Sequence, residues 1–527
     1  MSTFTPTAEQ EAALELFGTG EDLVIQARAG AGKTSTLKLL AESTSGRGQY
    51  LAFNKSIVTE AGQKMPRNVT ASTVHSLAFR SYGARYKGRL NSRRMRSNDL
   101  ARLMGLDPFV VTYGTQRKVL PAGFLAGHVM KAVERFCQSA DLEPTARHIA
   151  YIDGIDTPNA DGSRTYDNNN AVAEYLVGAV REAWQDLTRV DGSLPFGHHV
   201  YLKGWQLTDP QIPADFVLLD EAQDVAPVMY AVFAAQKDAQ LIAVGDDAQE
   251  IYAFTGAVNA MARMETEHRA TLSQSFRFGP AIAEVANRVL EMLETPPLVG
   301  TNEIRSQLCS LAEPDCILTR TNAVAVEQVL IAQRAGRRPH LMGGGYEVVA
   351  FARAARDLQQ GRSTEHRDLA CFTSWGEVVE YVEQDVQGED LRLMVKLVDE
   401  FGTQTVLDAL DNMTVEHAAD VVISTAHKSK GREWRSVQLA ADFNRERQGE
   451  LIRPEPEELR LLYVAATRAQ IELDIDAVKM LSVAESERRE CPFCHRTDVV
   501  RANGMIHAHR CSHDKPLPAG FVPGIDG

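Results

Sequence analysis

The chain has 527 residues, of which 44% are hydrophobic and 24% charged, and it carries a formal net charge of −14. That length supports several domain-sized cores, and seven cysteines, of which Cys137, Cys309, Cys316 and Cys371 are scattered and Cys491, Cys494 and Cys511 cluster near the end, do not suggest a disulfide framework. No run reaches the ~18 consecutive apolar residues of a membrane span, and the start, MSTFTPTAEQEAALELF, lacks the basic and apolar segments of a secretory leader, so an intracellular, cytoplasmic protein with no membrane partner is expected. The acidic sum neither requires nor forbids nucleic acid, because phosphates are met by a few well-placed donors.

Residues 23–27, LVIQA, form a short apolar run, and RAGAGKTS and the periodic TLKLLAES follow it. This order predicts strand, glycine-rich loop and helix, the arrangement that cradles phosphates. Gly30 and Gly32 let the backbone approach phosphate oxygens, Lys33 brings a charge to the β and γ positions, and the Thr34 hydroxyl is a Mg²⁺ donor. Ala29, Gly30, Ala31, Gly32, Lys33, Thr34 and Ser35 are therefore the expected nucleotide-binding loop; Ala27 replaces the first glycine of the strict pattern.

Further strands are predicted at 50–54 and 69–73. Between Arg80 and Pro213 lies an insertion too long to be a loop, so a mostly helical subdomain is expected there. It holds a basic run, YKGRLNSRRMRSNDLARLMG, which suits either duplex contact or a solvated face, and an Asp-, Asn- and Gly-rich segment expected to be a loop. Two more strands, at 216–220 and 241–246, follow the insertion. The first, FVLLD, ends in Asp220 and Glu221 within DEAQD, an acidic pair where a phosphate-loop protein needs one. Asp220 is expected to hold Mg²⁺ and Glu221 to orient or deprotonate the attacking water. A second strand set is predicted at 316–321, 421–427, 436–443 and 471–476.

DEAQD together with GDDAQEIYAF resembles the second and third motifs of UvrD/Rep-type superfamily 1 DNA helicases. The likeness continues through AEQ, LAFNKS, TVHSLA, LSQSFRFGPAIAEVAN, ILTRTNA, TAHKSKGREW and ELRLLYVAATRA, covering residues 8 to 470. In wording the motifs resemble the F-box-containing DNA helicase branch, without an F-box segment.

The resemblance implies an α/β fold of two RecA-like P-loop motor domains with parallel sheets, inserted mainly helical subdomains and a nucleotide held between the sheets. It assigns 1–80 and 200–262 to motor domain 1A, 81–199 to the helical insertion 1B, 263–345 and 417–485 to motor domain 2A, and 346–416 to a small insertion 2B. It implies Gln10 on the adenine edge, Phe276 stacked on the base and Glu433 on the ribose. It adds Gln249, Arg277 and Arg468 around the γ-phosphate, joining Lys33, Thr34, Asp220 and Glu221 as the catalytic set for ATP with Mg²⁺. DNA contacts are implied for Phe53, Asn54, His75, Tyr252, Phe254 and His427, whose aromatic and small polar side chains suit single strands. Thr255 stands where many relatives carry arginine, which removes one contact.

The segment 486–527 is read apart. Cys491-x2-Cys494-x12-His507-x3-Cys511 has the spacing of a structural zinc site, with His509 or His513 as alternatives to His507. Such a tail suits DNA or a protein partner rather than catalysis.

The expected activity is ATP-driven translocation on single-stranded DNA, 3′→5′ by resemblance, with unwinding at duplex junctions, in replication, recombination or repair. A nucleoid location follows if the source is prokaryotic or viral, and a monomer is expected in the free state. A translocase that mainly strips bound proteins is the alternative. A DNA-binding adaptor with an inactive motor is disfavoured by the intact catalytic set.

Overall fold

The computed structural model describes residues 5–52, 55–90, 95–152, 155–156, 165–364, 366, 369, 372, 374–384, 389–447, 450–481, 488–490 and 497–499. The chain divides into two compact units, Met1–Gln274 and Ser275–Gly527.

The first unit is built on β1 (Leu23–Ala27), β2 (Gly48–Ala52), β3 (Val69–Thr73), a hairpin of β4 (Phe109–Tyr113) and β5 (Gln116–Leu120), then β6 (Phe216–Leu219), β7 (Gln240–Gly245) and β8 (Arg269–Leu272). Six of these pair in the order β3-β2-β6-β7-β1-β8, every pair parallel. Strands buried on both faces read as continuous apolar runs, and the two-residue period sorts their side chains. Leu23, Ile25 and Ala27 join Tyr50, Leu218 and Ile242 against the helices Ala8–Phe17 and Lys33–Glu42. Val24, Leu51, Val217 and Ala243 point the other way, into a core shared with the insertion. Each fully buried aliphatic side chain contributes ~1.5–3 kcal/mol, so both sheet faces must be covered for the unit to be stable.

The insertion is mostly helical, with Ala122–Gln138, Asp167–Thr188 and His198–Gln206 as its long members. The β4–β5 hairpin, turning at Gly114 with φ 57°, was not expected from sequence. Part of the basic run is structural. Arg89 donates to the carbonyls of Leu187 and Leu194, and Arg85, just before the run, lies over the Tyr82 ring at 3.8 Å.

β8, which no pattern in the sequence announces, lies beside β1, so the first sheet extends to Leu272, past the bound at residue 262 expected for motor domain 1A.

The second unit contains β9 (Gln307–Leu308), β10 (Cys316–Thr319), β11 (Pro339–Leu341), β12 (Val421–Thr425), β13 (Trp434–Leu439), a small hairpin of β14 (Glu446–Arg447) and β15 (Glu450–Leu451), and β16 (Ala469–Asp474). Its main sheet has the order β11-β12-β10-β13-β16-β9, again all parallel. The insertion between β11 and β12 holds the helices Tyr346–Gln359, Trp375–Gln384, Glu389–Phe401 and Thr403–Asp411. Val348, Ala352, Leu397 and Val406 from it pack in one core with Ile317, Val326, Val421 and Ile423. The protein is thus α/β, with a parallel sheet in each of two units. No helix among the described residues is long and apolar enough to cross a membrane.

Candidate nucleotide site and strand-end clusters

In open parallel sheets, ligand groups gather on the loops that leave the carboxyl ends of the strands. β6, β7 and β1 are neighbours, and their three exits carry Asp220–Glu221, Asp246 and the loop Arg28–Gly32. Gly30 and Gly32 sit at φ 73° and 76°, a left-handed backbone that only glycine adopts without strain, and Gly32 caps the helix Lys33–Glu42. Thr34 is partly buried and Ser35 exposed in the first turn, while Ala29 and Ala31 are packed inward.

Lys33 Nζ lies 2.7 Å from Glu221 Oε1. Burial opposes its charge, but Glu221, Asp220 and Asp246 outweigh that and hold its pKa above the ordinary lysine value. Asp220, 4% exposed, accepts from the Tyr50 hydroxyl at 2.5 Å. Burial, with Glu221 beside it, pushes the Asp220 carboxyl above the usual carboxylate range against the pull of Lys33. The same burial, reinforced by Asp220, pushes the Tyr50 hydroxyl up, so it remains a donor. Glu221 has φ 53°, a left-handed conformation for a residue with a side chain, and its Oε2 accepts from Gln223 Nε2 at 2.7 Å. A cation, a helix N-terminus, a hydroxyl and two carboxylates therefore meet within one unit. This donor set matches the charges of a nucleoside triphosphate and a hard divalent cation.

Gln10 is buried near this loop. Its side chain donates to Thr36 Oγ1 at 3.1 Å and accepts from the Thr7 backbone at 3.1 Å, closing a capping box. Gln249 is also buried, with Nε2 on Asp246 Oδ2 at 2.8 Å.

In the second unit, three of the expected residues form one cluster. Arg277 Nε lies 2.6 Å from Glu433 Oε2 and Arg277 Nη1 donates to the Thr467 carbonyl at 3.0 Å. Arg468, 2% exposed, donates to the carbonyls of Val464 at 3.0 Å and Arg432 at 3.2 Å. Gln470, not singled out from sequence, donates to Glu433 Oε1 at 2.8 Å. Phe276, next to Arg277, is 45% exposed.

Residues 10–255 match the AAA domain family model, and residues 315–479 match the UvrD-like helicase C-terminal domain. The chain belongs to the UvrD-like superfamily 1 helicases. The F-box DNA helicase 1 of Gallus gallus is 30% identical over 496 residues, covering 86% of this chain and 47% of that protein. The F-box DNA helicase protein 1 of Schizosaccharomyces pombe is 31% identical over 512 residues, covering 88% and 56%. The DNA helicase IV of Escherichia coli is 29% identical over 178 residues, 30% of this chain and 26% of that one. The chain thus spans about half the length of the two F-box relatives it matches.

The remaining expected residues of this UvrD-like chain are distributed as follows. Phe254 is 75% exposed on the turn Ala253–Thr255, and its ring centroid is 6.4 Å from that of Tyr252. Burial, with Asp224 and Glu221 nearby, pushes the Tyr252 hydroxyl to about 12. His75 packs edge-on to Tyr201 at 6.3 Å, and burial, aided by His198 and His199, lowers its pKa, favouring the neutral ring. His427 is on the short helix Ala426–Ser429 that leaves β12. Phe53, Asn54, Cys491, Cys494, His507 and Cys511 lie outside the described residues.

Sequence reasoning missed Arg28, Gln223, Asp246 and Tyr50. Tyr50 reads as an ordinary core aromatic. Arg28 reads as a charged loop residue, yet its side chain is 1% exposed.

Proposed function

We propose that the chain is an ATP-dependent motor that moves on single-stranded DNA and unwinds duplex at junctions, 3′→5′ as its resemblance implies. The observation that carries this reading is the meeting of Lys33, Glu221 and Asp220 at the ends of β1 and β6, the two strands that flank β7, beside a left-handed glycine loop. Lys33 and the amides of the loop bind the triphosphate, and the Thr34 hydroxyl and Asp220 carboxylate would hold Mg²⁺, whose charge offsets that of the phosphates. Glu221 takes the proton of the attacking water, and Gln249 orients that water. Arg277 and Arg468 neutralise the γ-phosphoryl oxygens in the transition state. Gln10, Phe276 and Glu433 read base and ribose. In this reading the two units are RecA-like motors, with the insertions as subdomains 1B and 2B. Oligonucleotide-stimulated ATP hydrolysis, assayed with strand displacement on 3′- and 5′-tailed duplexes, tests it. No stimulation on any strand would sink it.

Phe53, Asn54, His75, Tyr252, Phe254 and His427 are proposed to face the strand. A ring as exposed as Phe254 contributes little to folding but offers a face to a base, worth ~1–3 kcal/mol. Phe254→Ala is therefore expected to weaken single-strand binding by about tenfold, read by fluorescence anisotropy, with an unchanged melting temperature. Parental affinity would remove Phe254 from the strand's path.

A second reading rests on the small size of the 346–416 insertion, whose helices form one core among themselves and share another with the second sheet. A motor whose duplex-engaging arm is this small would mainly strip bound proteins. Displacement assays with and without a DNA-bound roadblock separate the two.

For the tail we propose one Zn²⁺ on Cys491, Cys494, Cys511 and His507, with a protein or DNA partner as its ligand. The strands Arg488–Glu490 and Thr497–Val499 pair antiparallel, and the first two cysteines fall between them in the sequence. About one zinc per chain is expected by elemental analysis, lost in the double variant Cys491→Ser, Cys494→Ser. No zinc in the parent chain would leave the clustering without a metal to explain it.

A further inference from the structure

Arg28 follows β1 directly and stands two residues before Gly30, where a long cation has no obvious place. Its guanidinium is nevertheless out of water, where a cation stripped of its counter-charge is strongly disfavoured, so its partners matter. Nη1 lies 3.0 Å from Asp246 Oδ1 and 2.7 Å from Asp247 Oδ1. Those two carboxylates open the turn Asp247–Gln249 at the end of β7. Asp246 accepts the Ala248 amide on Oδ1 at 3.2 Å and Gln249 Nε2 on Oδ2 at 2.8 Å, and Asp247 Oδ1 accepts Gln26 Nε2 at 2.5 Å. Toward β6, the Asp246 amide donates to Gln223 Oε1 at 3.2 Å, and Gln223 donates to Glu221, the ion partner of Lys33. There is no slack here: a Cβ on Gly245 would stand 2.3 Å from Gln223 Oε1. One guanidinium thus ties the phosphate loop to the strand end that aims Gln249, and Tyr252 and Phe254 come three and five residues after Gln249.

We propose that Arg28 is a positioning residue for hydrolysis, clamping Asp246 and Asp247 to the phosphate loop so that Gln249 is held for the attacking water and shifts of that loop reach the Tyr252–Phe254 turn. This rests on the reading of the site as an ATPase. Arg28 itself touches no reacting atom, so its loss should act on kcat and not on nucleotide binding. The double variant Arg28→Met, Asp246→Asn removes both buried charges together and should keep the fold. The expected result is a melting temperature near the parent's, KM for ATP within about twofold, and oligonucleotide-stimulated kcat lower by about tenfold or more. Arg28→Lys, which keeps the cation, should recover part of that kcat. Asp247→Asn, at a position 43% exposed and so safe for folding, should lower kcat by about threefold at unchanged KM. Parental kcat in the double variant or in Asp247→Asn overturns the inference, leaving a purely structural ion pair. A raised KM with kcat intact also overturns it, since Arg28 would then be a binding group. Absence of stimulated hydrolysis in the parent chain would overturn the functional reading, and this inference with it.

Discussion

Lys33→Ala and Glu221→Gln are each expected to abolish ATP turnover while single-strand binding survives. Removing Lys33 takes away the cation aimed at the phosphates, and losing one such preorganised group costs about 10²–10³ in kcat. Glu221→Gln is nearly isosteric and can still accept from Gln223, but it cannot take a proton, a loss of about 10²–10⁴. The lysine should stay charged in that variant, because Asp220 and Asp246 also hold its proton. The comparison is a phosphate-release assay at saturating ATP beside anisotropy with a labelled oligonucleotide. Hydrolysis persisting in either variant would dismiss the site assignment; loss of oligonucleotide binding in both would point to a folding defect.

Arg277→Ala should be at least as severe in rate and far milder in affinity. A guanidinium that acts on the transition state is worth about 10³–10⁵ in turnover, whereas ground-state nucleotide binding loses little with it. In the second unit Arg277 is held by Glu433 and the Thr467 carbonyl, and its side chain is 19% exposed, so truncation should leave the fold intact. Arg468 is different. It is buried and serves the carbonyls of Val464 and Arg432, of which Val464 also accepts from the Thr467 hydroxyl, so Arg468→Ala strips a donor from each and leaves a cavity, and should lower the melting temperature as well as turnover. Arg468→Lys is the better variant at that position. Both arginines are tested by single-turnover hydrolysis beside titration with a fluorescent nucleotide analogue. Full turnover at saturating ATP with affinity alone impaired would exclude the transition-state role.

The parts of this protein legible from sequence were those whose physics is local. β1, β6, β7, β10 and β12 are short apolar runs because both faces of their sheets are covered, and a glycine loop or an acidic pair after such a run is a strong pattern. β8 was not legible: Arg269 and Thr271 face solvent while only Ala270 and Leu272 are buried, which over four residues looks like a loop. β11 opens on a proline and lasts three residues. In the site, Arg28 was missed because its partner Asp246 is 218 residues away, and nothing in RAGAGKT says that the arginine points inward. Tyr50 was missed for a similar reason, since its hydroxyl reaches Asp220 across 170 residues. The roles of Phe276 and Glu433 came from resemblance alone, and no pattern in their neighbourhood would have supplied them.

Glu221 at φ 53° has a consequence for anyone who engineers this chain for robustness. A side chain held in the left-handed region is destabilised by about 1–2 kcal/mol, and glycine would relieve it. Glycine or asparagine at 221 would ease the backbone but take from Lys33 its ion partner and from Gln223 its acceptor, so the two effects on heat resistance oppose each other. A thermal-shift ranking at this position therefore says little about activity, and hydrolysis has to be screened in the same round.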